Sequence, residues 1–408
     1  MRFETKAIQG GFNQDPKTGA TSVPIFQTAS FAYSSAQDLA DVFDGRKFGH
    51  LYSRISNPTV FAFESRVNEL ENGLAAVAVA SGMAAIASVA YALTQQGDEI
   101  IAATSLFGGT LHFFEDLSRF GVTTHYVDMR DLKALKEAIT DKTKFIFFET
   151  IGNPKMDVPN IKAIVEIAQQ ANIPIVVDST LTSPYLFHAK KWGVSIVVHS
   201  ATKYLGIGGT TVGGVLVDLG TYKWKESRCD DIRELSKKAG PFAFIAKVRQ
   251  HVVTNSGNIL APFNAFLLNL GLETLAIRLE KQCANAMDLA TFLSQESRVT
   301  AVGYAGLKSH ADHEIATAQF EGKYGALLTF NLESRDACFS FMDKLKWVKN
   351  MTSLGDSKTM VIHPDSTIFH SCSPLQKVAA GVSDTLIRVS VGLEHSEDIQ
   401  EDFKQALA

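Results

Sequence analysis

The sequence predicts an α/β fold, in which helices cover both faces of a mostly parallel sheet and a smaller C-terminal α+β domain follows. From residue 77 onward, short apolar runs rich in β-branched residues alternate with helical patterns, as in successive βαβ units. Runs such as Ile175–Val177 and Ile196–Val198 are apolar at consecutive positions, as expected for strands covered on both faces. Beyond Pro262 the pattern changes to helix and weaker strands.

The strands of the larger sheet are predicted between residues 77 and 218. Leu74–Leu93 carries no charge and is long enough to span a membrane, but Ser81-Gly82 interrupts it, so a buried strand, a glycine turn and a buried helix explain it better. The last strand is expected to run in the reverse direction after a short hairpin. The predicted strands are Val77–Ala80, Ile100–Ala103, His125–Val127, Phe145–Glu149, Ile173–Asp178, Ser195–His199 and Gly213–Asp218.

Three parts of the chain are expected. Residues 1–55 show no helical period and are rich in Gly, Ser, Thr and Gln, which indicates an extended arm that lies on a neighbouring subunit. Residues 56–257 form the α/β domain, and residues 258–408 form the smaller domain. The smaller domain is predicted to contain one long helix over Pro262–Leu293, a helical stretch near Ala337–Leu345, and the strands Ala326–Phe330 and Leu386–Val391.

Composition limits the function classes. Lys and Arg total 39 against 43 Asp and Glu, without a basic run, which argues against a nucleic-acid partner. The four cysteines lie far apart, so the spacing predicts neither a metal site nor a disulfide framework, and a reducing compartment fits best. The N-terminus lacks the apolar core of a secretory signal. We therefore expect a cytoplasmic protein without a membrane partner.

Polar residues follow several of the predicted strands. Because ligands of open α/β sheets bind beyond the carboxyl ends of the strands, we expect these side chains to share one site. A glycine turn that opens a helix presents backbone N–H groups to a phosphate, and hydroxyls two residues apart on an extended segment point the same way. The residues suited to a phosphate are Gly82, Met83, Ser200 and Thr202.

Two further residues fit the ring of a phosphorylated pyridine aldehyde. Asp178 closes a strand and can keep a ring nitrogen protonated. Lys203 can bind the aldehyde once desolvation and nearby cations lower its ordinary pKa of ~10.4. Taken singly, Lys203 reads as a surface charge, Asp178 as a helix cap and Gly82 as an ordinary turn. Their joint placement at strand ends favours the site.

The segment Val198–Tyr204, with Tyr52-Ser-Arg54 and Asn57-Pro-Thr59 upstream, resembles the Cys/Met metabolism family of pyridoxal-phosphate (PLP) enzymes, the cystathionine synthase and lyase group. The resemblance covers nearly the whole chain and implies the type I fold of PLP transferases. It continues through Ser81–Met83, Gly152–Pro154, Val177–Thr180 and Ile387–Glu394.

The resemblance implies a role for each matched residue. Lys203 holds the cofactor and moves protons, Asp178 pairs with the pyridine nitrogen, and Tyr52 joins them as a catalytic residue. Tyr52 and Arg54 reach the phosphate of the neighbouring subunit. The implied cofactor-binding residues are Tyr52, Arg54, Gly82, Met83, Phe107, Asn153, Asp178, Ser200, Thr202 and Lys203, and the implied substrate-binding residues are Arg388, Asn153 and Ser353. Phe107 departs from the family pattern, which has a tyrosine stacked on the cofactor ring.

Within this family, Gly355–Thr359, Ile362–Pro364, His370 and Gly271–Leu275 look most like the O-acetylhomoserine sulfhydrylase branch. Asp356 stands where the cystathionine branches have a second glycine, and Gly109 stands where methionine γ-lyases commonly carry cysteine. The implied reaction is γ-replacement on O-acetylhomoserine by free or carrier-delivered sulfide in a homotetramer, a dimer of dimers. Methionine γ-lyase and cystathionine γ-synthase activities remain the alternatives.

Two other function classes compete with this interpretation. The segment Gly206-Ile-Gly208-Gly209 resembles the GxGxxG fingerprint of nucleotide-binding oxidoreductases, but the third glycine of that fingerprint is missing. A catalytically silent binding protein would have little need for lysine, aspartate and phosphate ligands together. A visible absorption band in the purified protein separates a PLP enzyme from both.

Overall fold

The computed structural model describes residues 1–12 and 14–408. The larger sheet contains β1 Ala75–Val79, β2 Glu99–Ala103, β3 Thr123–Val127, β4 Thr143–Glu149, β5 Ile175–Asp178, β6 Ile196–His199 and β7 Gly214–Asp218. Their order across the sheet is β1-β7-β6-β5-β4-β2-β3. The predicted α/β fold with a mostly parallel sheet is confirmed, and each predicted strand coincides with an observed one apart from a shift of its ends.

Strand β7 runs antiparallel to both of its neighbours, β1 and β6. The predicted reversal of direction is therefore confirmed. The short hairpin was wrong, because residues 200–213 connect β6 to β7 and form turns at the carboxyl edge of the sheet. This long connection carries Lys203.

Helices connect the strands of this sheet and cover both of its faces, and further helices follow its last strand. Helix α3 begins at Pro58, after Asn57 accepts a hydrogen bond from the amide of Thr59, and it ends at Asn72, whose φ of 53° is left-handed. The helices of this part are α3 Pro58–Glu71, α4 Gly82–Leu93, α5 Gly108–Asp116, α6 Leu132–Ala138, α7 Ile161–Gln170, α8 Ser183–Leu186, α9 Asp230–Ala239, α10 Ala243–Lys247 and α11 Thr254–Ser256. Short 3₁₀ segments occupy Leu117–Phe120, Ala189–Trp192, Trp224–Glu226 and Gly240–Phe242, and a π-helical turn occupies Val248–Val253.

The segment predicted as one long helix is two helices, α12 Pro262–Glu273 and α13 Leu275–Leu293. The break falls at Thr274, whose φ of −108° and ψ of 7° leave the helical region. The guanidinium of Arg278 donates to the carbonyl of Gly271 at 2.7 Å and to the Thr274 hydroxyl at 3.1 Å. The side chain of Arg278 therefore satisfies a carbonyl group at the C-terminal end of α12. The pattern of apolar residues does not reveal this break.

A second, smaller sheet lies in the C-terminal part, in the order β10-β11-β12-β9-β8. Its strands are β8 Ala301–Gly303, β9 Leu327–Asn331, β10 Lys349–Asn350, β11 Met360–Ile362 and β12 Leu386–Ser390, and its helices are α14 His313–Gln319, α15 Arg335–Lys344, α16 Pro374–Ala379 and α17 Ser396–Leu407. Only β9 and β12 were predicted. The other three strands have two or three residues each, too few for an alternating pattern.

The N-terminal segment is not free of helix. It contains α1 Phe3–Gln9 and α2 Ala36–Phe43, each too short to show a helical period clearly. Outside them, an isolated bridge pairs Ser30 with Tyr52. Several large apolar side chains of this segment are exposed, including Ile25, Phe26, Leu39, Phe43 and Phe48. Within the described residues, no helix is long and apolar enough to cross a membrane.

Candidate active site

A cavity of about 320 Å³ opens at the carboxyl edge of β4, β5 and β6 and is closed on its other side by residues of the second sheet and its loops. Nine of the residues predicted for the site line it: Gly82, Met83, Phe107, Asn153, Asp178, Ser200, Lys203, Ser353 and Arg388. Residues that are far apart in sequence therefore meet where the rule for parallel sheets places a ligand.

Lys203 lies in the turns that follow β6, and its Nζ donates a hydrogen bond of 3.1 Å to the Ser353 hydroxyl. Burial lowers the pKa of the Lys203 amine to about 8, and the positive charge of Arg388 acts in the same direction. A lysine that loses its proton near neutral pH can act as a nucleophile and as a base. The sequence-based expectation of desolvation and a nearby cation is thus met by these two causes.

Arg388, on β12, is a buried cation with free hydrogen-bonding capacity. Its guanidinium donates to the Asn153 side-chain oxygen at 3.1 Å and to the Ser353 carbonyl at 2.8 Å. Among the described residues no carboxylate pairs with it, and its Nε has no hydrogen-bond partner. Burial lowers its pKa to about 10. A buried guanidinium of this kind is suited to a carboxylate ligand.

Asp178 ends β5, where one of its oxygens accepts a hydrogen bond of 2.9 Å from the amide of Thr180. Burial raises the pKa of Asp178, while the hydrogen bond from Thr180 and the nearby His199 oppose that shift. The Thr180 hydroxyl accepts a hydrogen bond of 2.8 Å from the amide of Ser200 and so joins the ends of β5 and β6. A buried carboxylate with these neighbours is stabilised in its charged form by a cationic ligand atom.

The start of α4 offers a cradle for an anion. Ser81 caps the helix: its hydroxyl accepts a hydrogen bond from the amide of Ala84, and its carbonyl accepts one from the amide of Ala85. The amides of Gly82 and Met83, the first of the helix, therefore remain available to an anion at the cavity. A Cβ added at Gly82 would lie 2.6 Å from the Cβ of Ser200. Only glycine therefore lets the helix end approach the Ser200 hydroxyl this closely.

Thr202 does not share the orientation predicted for it. Residues 201–205 form turns rather than the predicted extended segment, and Ser200 lines the cavity whereas Thr202 does not. The Thr202 hydroxyl donates to the carbonyl of Gly213 at 3.2 Å and accepts from the amide of Gly213 at 3.1 Å. In this chain it fastens the two ends of the connection that carries Lys203.

Tyr52 and Arg54 lie outside the cavity of their own chain. Arg54 is exposed, donates to the carbonyl of Thr254 at 2.7 Å, and has its guanidinium carbon 5.5 Å from the centre of the Tyr52 ring. The Tyr52 side chain is 43% exposed. Both side chains are therefore exposed at the surface of this chain, and neither lines its cavity.

Eight lining residues have no role assigned from the sequence, and two of them, Glu149 and Thr180, lie at the carboxyl edge of the sheet beside Asp178. Thr180 lies in the segment Val177–Thr180, which carries part of the family resemblance, and Glu149 is the last residue of the predicted strand Phe145–Glu149. Glu149 lines the cavity and pairs in register with Asp178 across β4 and β5. The rule that selected Asp178, a polar residue at the carboxyl end of a strand, applies equally to Glu149.

These residues fit a ligand that carries a phosphate, a ring nitrogen and a carbonyl. The phosphate suits the start of α4 beside Ser200, the ring nitrogen suits Asp178, and the carbonyl suits Lys203. The free Nε of Arg388 leaves room for the carboxylate of a second ligand. Within the described residues, no group of three or more His, Cys, Asp and Glu side chains could hold a metal ion.

Comparison with known proteins gives three kinds of likeness. The sequence profile of the family described as Cys/Met metabolism PLP-dependent enzyme matches residues 4–408. The chain is 37% identical to O-acetyl-L-homoserine sulfhydrylase 1 of Thermus thermophilus, with all of both chains covered. It is 36% identical to an L-methionine γ-lyase of Pseudomonas putida, covering 99% of this chain and 97% of the other.

A solved structure from Campylobacter jejuni matches with a TM-score of 0.96 and 33% identity over all of both chains. It is described as an O-acetylhomoserine (thiol)-lyase and contains an N'-pyridoxyl-lysine-5'-monophosphate residue.

Proposed function

The chain belongs to the family of Cys/Met metabolism PLP-dependent enzymes, and on that premise we propose that it transfers the aminocarboxypropyl group of O-acetyl-L-homoserine to sulfide. A sulfur–carbon bond forms at Cγ, the ester carbon–oxygen bond at Cγ breaks, and acetate leaves with the bonding electrons. The products are L-homocysteine and acetate, so the reaction serves methionine biosynthesis. The T. thermophilus and C. jejuni relatives, whose names state this substrate, support the assignment.

The residues of the cavity divide the work. When bound, pyridoxal phosphate supplies an electron-accepting ring that eases removal of the substrate Cα proton. Lys203 takes that proton and returns protons to carbon atoms of the substrate, because its lowered pKa lets it do both near neutral pH. Arg388 holds the α-carboxylate, with Asn153 and the Ser353 carbonyl fixing its guanidinium. Asp178 provides the negative charge for the ring nitrogen.

The observation that carries the choice of reaction is Phe107. Among the described lining residues Phe107 is the single aromatic one, so this chain places no tyrosine hydroxyl in the cavity. A carboxylate leaving group, whose acid has a pKa of about 4, needs no proton, whereas a thiolate, with a pKa of about 8.5, does. The cavity therefore favours the acetyl ester over the thioethers cystathionine and methionine.

The neighbouring subunit completes the site in this proposal. Tyr52 and Arg54 face outward beside an N-terminal segment with exposed apolar side chains, which supports their serving the phosphate of a partner chain. Residues 1–55 would then lie on that partner, residues 56–257 would bind the cofactor, and residues 258–408 would form the smaller domain. We propose a cytoplasmic homotetramer made of two such dimers, with sulfide taken free or from a sulfur-carrier protein.

Comparison of kcat/KM for three substrates tests the reaction. O-acetylhomoserine with sulfide should be used far more efficiently than O-succinylhomoserine with cysteine or methionine alone. Release of methanethiol and 2-oxobutyrate from methionine at a comparable kcat/KM would make the chain a γ-lyase, as the P. putida relative is named. Efficient use of O-succinylhomoserine with cysteine would make it a cystathionine γ-synthase.

A further inference from the structure

Glu149 is a buried carboxylate for which the proposed reaction has no use. It ends β4, is 7% exposed and lines the cavity. Among the described residues no Lys, Arg or His forms an ion pair with it. Burial raises its pKa well above the usual range and the negative charge of Asp178 adds to that rise, whereas hydrogen bonds from the amides of Phe107 and Asn153 oppose it by stabilising the charged form. Keeping an acid in this position costs folding free energy, so its contacts need an explanation.

Each oxygen of this carboxylate accepts a hydrogen bond from a different loop. Oε1 accepts from the amide of Phe107 at 2.7 Å, and Oε2 accepts from the amide of Asn153 at 3.2 Å. The first loop follows β2 and the second follows β4. Each loop places one side chain in the cavity wall, the Phe107 ring and the Asn153 amide.

We propose that Glu149 is a positioning residue that fixes the Phe107 ring relative to Arg388, with Asn153 as the link. Glu149 holds the backbone of Asn153, and the side-chain oxygen of Asn153 in turn accepts a hydrogen bond of 3.1 Å from Arg388. One carboxylate thereby sets the width of the slot between an aromatic wall and the guanidinium that binds the substrate carboxylate. This inference rests on the proposed function for the role of Arg388.

The need for two acceptors explains why the residue is an acid. A glutamine offers one carbonyl oxygen and an NH₂ group, so it can accept from only one of the two amides and turns a donor toward the other. An aspartate keeps both oxygens but is shorter by one methylene group. Neither neutral nor shorter side chains can therefore hold both loops.

A second carboxylate joins the same loops away from the cavity and provides a matched control. Asp157 accepts a hydrogen bond of 2.9 Å from the Ser105 hydroxyl, and its own carbonyl accepts from the amide of Gly152 at 2.9 Å. Asp157 does not line the cavity. Asp157→Asn keeps an acceptor for Ser105 and leaves the amides of Phe107 and Asn153 with Glu149.

Amide hydrogen exchange of the full-length protein, with and without bound PLP, tests the proposal. The parent should protect the amides of Phe107 and Asn153, although both lie in loops. Glu149→Gln should speed exchange of one of them by about tenfold or more, since a hydrogen bond to a charged buried group is lost. Asp157→Asn should leave both rates unchanged. Unprotected amides in the parent would overturn the proposal even if the variant does not fold.

Steady-state kinetics supply the second readout. Glu149→Gln should raise the KM for the amino-acid substrate by about tenfold with a smaller change in kcat, because the slot is displaced while Lys203 stays in place. Unchanged exchange and unchanged KM in Glu149→Gln would overturn the positioning role. The exchange measurement needs no turnover, so failure of the parent to use O-acetylhomoserine would overturn the proposed function alone.

Discussion

The amine of Lys203 and the hydroxyl of Ser353 lie 3.1 Å apart across the cavity, 150 residues apart in the chain. This bond holds the lysine toward the side of the cavity that also bears Arg388, whose charge helps to lower the pKa of the amine. Burial in the same cavity is the larger cause of the lowered pKa, so the enclosed position of Lys203 both orients its amine and eases its deprotonation.

Lys203→Ala should abolish turnover and the visible band of bound cofactor that borohydride traps in the parent. Lys203 is the lysine that lines the cavity, so no other described lysine can take its place. Absorption spectra before and after borohydride, followed by peptide mapping, check this. A band that persists and can still be trapped in the variant contradicts the assignment.

Lys203→Met should stabilise the cofactor-free protein near neutral pH. The folded pKa of about 8 lies below the reference value of 10.5, so below pH 8 the amine is protonated in both states and its burial costs on the order of 3 kcal/mol. That cost falls as pH rises through 8 toward 10.5. The Tm advantage of the variant should accordingly shrink over this interval, and a pH-independent difference contradicts the assigned shift.

Asp178→Asn should leave cofactor bound but slow the removal of the substrate α-proton. The amide lacks the negative charge that keeps the ring nitrogen protonated, while it retains an acceptor for the Thr180 amide. Exchange of the α-proton with deuterated water, measured by NMR, reports this step directly. Parent-like exchange at full cofactor occupancy would remove Asp178 from the mechanism.

Arg388→Met should lower kcat/KM by roughly 10- to 100-fold for every amino-acid substrate, since a charge-assisted contact with the carboxylate is lost. It should not lower the Tm of the protein without substrate, because Arg388 is a buried cation without an anionic partner among the described residues. Arg388→Lys keeps the charge and controls for the loss of the planar fork. Selective damage to one substrate alone argues against carboxylate binding.

Mixing Arg54→Ala chains with Lys203→Ala chains at limiting cofactor should restore activity above that of either variant alone. In a hybrid dimer with a shared site, one of the two sites contains both intact residues. Loss of the Arg54 contact in the other sites should weaken cofactor binding by roughly 1.5 to 3 kcal/mol. Hybrids separated by a tag on one chain provide the measurement, and inactive hybrids rule out the shared site.

The larger sheet was predictable because most of its strands are buried along nearly their whole length, as in β4, where every residue is buried; the edge strand β3 is the exception. Strand-end position then selected Lys203 and Asp178 without any contact being known. The hydrogen-bond partner of the Thr202 hydroxyl was not predictable. It bonds to Gly213, which comes close only when β7 returns beside β6. The two-acceptor contact of Glu149 likewise depends on where two loops meet.

The two sides of the cavity come from different stretches of the polypeptide. The residues suited to the cofactor are Gly82, Asp178, Ser200 and Lys203, and each of them precedes the substrate-binding candidates Ser353 and Arg388 by at least 150 residues. During synthesis on a ribosome, the cofactor half is therefore complete in sequence well before the carboxylate-binding half emerges. A nascent chain can acquire its cofactor-facing surface first, and specificity for amino acids is the last property that translation adds.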